Sequence, residues 1–158
     1  MKTLIVYDSF YGNTEKIAQA IAKALAKSSE VKLIRPDEAN PSQFGSVDLL
    51  IVGSPTQGGR HTKAIQGFLE KIPSGVLKSI NVAAFDTRLS SRWVKIFGYA
   101  AGRIADSLKK KGGNLLEPPE GFKVNGREGP LKEGELERAA NWAEDILRKA
   151  KDKNIAER

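Results

Sequence analysis

The chain has 158 residues, of which 40% are hydrophobic and 28% charged, a composition that suits one folded globular domain rather than a membrane bundle or a disordered tail. It holds no cysteine and one histidine, His61, which excludes disulfides, thiolate metal sites, cysteine nucleophiles and multi-histidine metal centres. Lys and Arg number 26 against 19 Asp and Glu, a net charge of +7, and residues 56–114 carry the excess with eleven basic side chains against three acidic ones. Such an imbalance speaks of partners rather than of fold.

The opening run Met1–Tyr7 is too short for a signal peptide or a membrane span, and a cytoplasmic location is the expectation. Continuously apolar and β-branched, the run reads as a buried strand. Ile17, Ile21 and Leu25 then mark a helix face. Val31–Ile34 and Leu49–Val52 read as strands, while Pro36, Pro41 and Gly45 leave no room for a full helix between them. Ile65, Phe68, Leu69 and Ile72 form the next helical stripe, Val82–Phe85 the fourth strand, and Phe97 to Leu108 a third stripe. Asn114–Leu116 with Phe122–Val124 read as a weak fifth strand. Leu136, Ala139, Ala140, Ala143 and Leu147 mark the last helix. Strands alternating with amphipathic helices imply an α/β domain over residues 1–151 with a parallel sheet between helices; residues 152–158 are expected to fray.

The chemistry concentrates in the turn after the first strand, Asp8-Ser9-Phe10-Tyr11-Gly12-Asn13-Thr14. A helix N-terminus presents unpaired amides and a partial positive charge, so such a turn suits a phosphate. Gly12 permits close backbone approach, and Ser9 and Thr14 can donate hydrogen bonds. An ordinary capping turn is the alternative reading. The glycine spacing matches neither a dinucleotide fingerprint nor a Walker loop.

Ser9-Phe10-Tyr11-Gly12-Asn13-Thr14 resembles the flavodoxin signature Ser/Thr-x-Thr-Gly-x-Thr, with Tyr11 in place of the central threonine. The resemblance extends to Ser54-Pro55-Thr56-Gln57-Gly58-Gly59 after the third strand and to Asp86-Thr87-Arg88 after the fourth. Gly129-Pro130-Leu131 and Gly134-Glu135 add to it. It implies a doubly wound five-stranded sheet of order 2-1-3-4-5 binding FMN at the carboxyl ends of strands one, three and four, a rule of which flavodoxin is itself an example. The long insertion in the last strand of long-chain flavodoxins is absent. The first flavin loop lacks Trp and Tyr, which makes Trp93 the stacking candidate, with a core or surface anchor as its alternative role.

The resemblance further implies one-electron shuttling between oxidised, semiquinone and hydroquinone flavin, with Gly58-Gly59 as the place where the backbone rearranges on reduction. Asp86, Thr87 and Arg88 would meet the pyrimidine edge by backbone or side chain, with a plain strand end as the alternative role of Asp86. Tyr11 and Pro55-Thr56 also resemble NAD(P)H:quinone oxidoreductases of this fold, which makes an FMN enzyme the alternative to a carrier; an interaction module without flavin is a third class. His61 reads as a proton donor beside the ring or as a surface histidine, and Lys109-Lys110-Lys111 as complement to a helix dipole. Arg60, His61, Lys63, Arg88, Arg92 and Lys95 would form a positive rim that steers acidic redox partner proteins. No motif supports a nucleic-acid, membrane or hydrolase role.

Overall fold

The structure is a computed structural model, and it describes residues 1–90 and 98–157. In chain order the elements are β1 (Lys2–Tyr7), α1 (Asn13–Leu25), β2 (Glu30–Ile34), two 3-10 turns (Pro36–Glu38 and Pro41–Ser46), β3 (Leu49–Pro55), α2 (Lys63–Lys71), β4 (Asn81–Leu89), α3 (Ala100–Lys110), β5 (Asn114–Leu115), β6 (Glu120–Val124) and α4 (Glu135–Ala156). All strand pairs are parallel, in the order β2-β1-β3-β4-β5, and β6 also pairs with β4.

That order is the doubly wound one expected, with its fifth strand broken in two. β5 pairs with Asn81 and Val82, and β6 pairs with Phe85 to Leu89 farther along the same neighbour. Between them Pro118 and Pro119 offer no N–H to the ladder, which accounts for the weak periodicity there. The Ile34–Leu49 connection folds as two proline-led 3-10 turns instead of a helix, again as the prolines require.

Alternate residues of the central strands feed two cores. Leu4, Val6, Leu50, Val52, Val82 and Ala84 face α2 and α3, meeting Ile65, Phe68, Leu69, Ile104 and Leu108. Ile5, Tyr7, Leu49, Ile51, Ala83 and Phe85 face α1 and α4. Both helical layers therefore bury continuous strands, which is why β1 and β3 are apolar at every central position. The third stripe begins as a helix at Ala100; Phe97 lies outside the described residues. In α4 the buried face runs through Ala139, Trp142, Ala143, Ile146 and Ala150, whereas Leu136 is exposed. That helix continues to Ala156, past the point where fraying was expected, on a sequence of good helix formers. No described helix is long and apolar enough to cross a membrane.

Candidate functional site

The turns at the carboxyl ends of β1, β3 and β4 enclose a cavity of about 330 Å³, a size suited to a small cofactor. Twelve of the residues proposed from sequence line it: Ser9, Phe10, Tyr11, Asn13, Thr14, Pro55, Thr56, Gln57, Gly58, Gly59, Thr87 and Arg88. Gly12, Ser54 and Asp86 do not, and Trp93 lies outside the described residues. Leu89, Val124 and Arg127 line the cavity without having been expected there.

The first wall is the turn into α1. Gly12 caps the helix in the left-handed region at φ 89°, where a side chain would be strained, so its part is to shape the turn. The amides of Asn13, Thr14 and Glu15 stand in the first helical turn, with no carbonyl one turn back to accept from them. Ser9 Oγ accepts from the Gly12 amide at 3.1 Å, which leaves its proton available to a ligand. Arg35 anchors the start of the turn by donating to Asp8 Oδ1 at 3.2 Å and to the Ser9 carbonyl at 3.1 Å. Below it the Tyr7 hydroxyl donates to Glu15 Oε1 at 2.8 Å, and burial together with that bond holds the hydroxyl's pKa above the usual 10.0.

The second wall follows β3. Ser54 is buried and bonded within the protein, accepting from the Thr62 amide and donating to the Pro55 carbonyl, both at 3.0 Å, so it braces the loop rather than facing the cavity. Gln57 and Arg60 exchange backbone bonds of 2.9 and 3.0 Å across Gly58 and Gly59, whose φ values are 55° and 76°. Positive φ at both central residues is the requirement of a type I′ turn, and explains the paired glycines. His61 sits beyond this turn, outside the cavity lining, with Nδ1 3.3 Å from the Thr62 carbonyl.

The third wall comes from β4. Thr87, expected at a pyrimidine edge by backbone or side chain, lines the cavity and places its hydroxyl 2.8 Å from that of Thr14. Asp86 is fully buried: Arg88 Nε and Nη2 donate to its two carboxylate oxygens at 2.7 Å each, and the Ala101 amide donates to Oδ2 at 2.9 Å. The carboxylate thus caps α3 and has no reach into the cavity. Arg88 stacks over the Tyr99 ring at 3.4 Å, and its charge is spent on Asp86 instead of on an exposed rim. Gly121 makes room for this, because a Cβ there would overlap the guanidinium. The loop from Asn125 to Pro130 closes the near side, tied down by Asn13 Nδ2 donating to the Glu128 carbonyl at 3.1 Å. That contact brings Arg127 to the cavity; the Gly129-Pro130 pair was its sequence signal.

Unpaired helix-start amides with two nearby hydroxyls fit a phosphate group, and the apolar surfaces of Phe10, Pro55, Leu89 and Val124 fit a flat heteroaromatic ring. Among the described residues no cluster of three His, Asp or Glu side chains could hold a metal ion. The sequence model of the flavodoxin family matches residues 5–142. The chain belongs to the flavodoxin family. FMN is the cofactor of that family, and the donors of this cavity suit it.

The chain is 34% identical over 119 residues to an uncharacterised protein of Methanocaldococcus jannaschii, covering 73% of this chain and 71% of that one. It is 31% identical over 115 residues to a flavodoxin of Aquifex aeolicus, covering 72% of this chain and 54% of the other, so it spans about half of that relative's length. Among solved structures, oxidised Flavodoxin 2 of Bacillus cereus superposes with a TM-score of 0.77 at 28% identity, covering 94% of this chain and 99% of that one. Flavodoxin-family proteins transfer electrons through FMN to redox partner proteins.

Proposed function

We propose that this chain is a single-electron carrier that binds FMN non-covalently and serves redox partners that are acidic at their contact surface. The observation that carries the reading is one cavity combining the unpaired amides of Asn13–Glu15, the Ser9 and Thr14 hydroxyls and the Gly58-Gly59 turn. Bound FMN supplies the one-electron redox chemistry. Ser9, Thr14 and the amides of the turn into α1 would hold the phosphate. Thr56 to Gly59 and Thr87 to Leu89 would flank the ring and exclude water from it. The two glycines accept either sign of φ, so their peptide can reorient and present a carbonyl or an N–H as the charge on the ring changes.

Surface charge supports an acidic partner. Arg60 and Lys63 are exposed next to the β3 loop, within the basic segment. Arg88 drops out of the expected rim because Asp86 neutralises it; Arg92 and Lys95 lie outside the described residues. A positive surface beside the electron exit steers acidic proteins toward it. The experiment that tests the carrier reading is steady-state oxidation of NADH and NADPH with a quinone acceptor. The expected result is no turnover above that of free FMN, whereas enzyme-like saturation kinetics would establish the quinone reductase suggested by Tyr11 and Pro55-Thr56.

A further inference from the structure

A second depression, of about 400 Å³, lies between α2 and α3 on the face that carries Arg60, Arg103, Lys110 and Lys111 against Glu70 and Asp106. Among the described residues, none of those four cations is in an ion pair. Glu70 already accepts from Gln66 Nε2 at 3.0 Å. The groove thus presents unmatched positive charge with an apolar residue, Leu69, in its lining.

One contact ties the groove to the flavin loop. Arg103 Nε donates to the Gly59 carbonyl at 3.0 Å, while Gly59 also lines the flavin cavity. The guanidinium therefore stands in the groove and holds the outgoing peptide of the Gly58-Gly59 turn. A carboxylate is a better acceptor for guanidinium than a neutral carbonyl, so an incoming carboxylate competes for this donor.

We propose that the groove between α2 and α3 docks an acidic segment of the redox partner, and that Arg103 transmits its arrival to the Gly58-Gly59 turn. The proposal rests on the carrier reading and places the partner's contact in the structure. Arg103 and Lys110 are seven residues apart on one helix, roughly 10 Å at about 1.5 Å per residue. That spread is too wide for one phosphate and matches several carboxylates along an extended segment. Lys110 and Lys111 thereby gain a role beyond complementing the helix dipole. Arg103 is a positioning residue: it touches the turn that faces the flavin.

The test is a titration of the FMN-loaded protein with hexaglutamate, followed by amide chemical shifts, with inorganic phosphate as the small-anion control. Saturable shifts are expected at Arg103, Lys110 and Lys111 and at Gly58, Gly59 and Arg60. The double variant Lys110→Glu/Lys111→Glu should weaken peptide binding about tenfold, since two attractions become repulsions. Arg103→Gln keeps a side-chain N–H for Gly59 but offers no charge to a carboxylate; here the peptide should still shift Lys110 while the Gly59 response disappears. Shifts spread evenly over all lysine-bearing faces, an equal response to phosphate, or a Gly59 response that survives in Arg103→Gln would each overturn the proposal. The FMN titration comes first: a chain that does not take FMN fails the carrier reading, whereas a loaded chain whose groove ignores hexaglutamate fails this proposal alone.

Discussion

The hydroxyls of Thr14 and Thr87, 73 residues apart in sequence, meet at 2.8 Å in a buried contact at the edge of the flavin cavity. One of them must donate to the other, and the remaining proton is then available to a phosphate oxygen. The pair joins the start of α1 to the end of β4, so the turn into α1 is held by the strand next but one across the sheet.

Replacing Thr87 with valine keeps the shape and removes that partner. The expected cost is about 1 kcal/mol of stability, with a few-fold loss of FMN affinity. Thr14→Val should weaken FMN more, because it removes the donor at the phosphate turn itself. Urea unfolding and flavin-fluorescence titration of the two variants check the ranking.

Asp86 and Arg88 form a paired charge whose carboxylate is fully buried. Arg88→Met leaves that carboxylate with the Ala101 amide as its remaining partner among the described residues and should cost about 3 kcal/mol. The double variant Asp86→Asn/Arg88→Met should recover part of the loss, giving a coupling of about 2 kcal/mol in a double-mutant cycle. Gly121→Ala should resemble Arg88→Met, since its Cβ occupies the space of the guanidinium.

Glu135 opens α4, accepting from Arg138 Nε at 2.9 Å and from the Lys123 amide at 2.7 Å. The bond to Arg138 holds its carboxyl below the usual 4.5, against the opposing effect of burial. A depressed carboxyl stabilises the fold above the unfolded value and loses that contribution as pH falls through the folded one. Glu135→Gln should therefore be less stable than the parent at neutral pH and lose less on acidification. Urea midpoints at pH 7 and pH 3 for both chains give the comparison.

If positive charge steers the partner, charge reversal at Arg60, Arg92 and Lys95 should slow reduction by an acidic donor protein and flatten its salt dependence. Nearby cations also favour the more negative, fully reduced flavin, so the second one-electron potential should be less negative than in acidic relatives. Stopped-flow rates across a salt series and a redox titration test these two consequences, and rates indifferent to all three reversals would contradict the steering argument.

Most of the architecture was legible because it follows from local pattern. β1, β3 and β4 are apolar on both faces, and Pro36 and Pro41 rule out a full α-helix where only two 3-10 turns form. The cavity's location followed from the resemblance of three turns. Legibility ended where a side chain's direction depends on long-range packing. Thr87 meets Thr14 across 73 residues of sequence, a contact invisible along the chain. Asp86 and Arg88, two apart on a strand, did carry a signal, since i and i+2 share a face. That Val82 and Ala84 lie on the same face could have marked Asp86 as buried. The bond from Arg103 to Gly59 joins a helix to a turn 44 residues earlier and has no local signature.

The most direct test of an FMN-bound single-electron carrier is an FMN titration of the purified chain, followed by stepwise photoreduction under spectroscopic observation. Saturable one-to-one binding and two resolved one-electron steps are expected. Failure to bind FMN, or reduction in a single two-electron step, would contradict it.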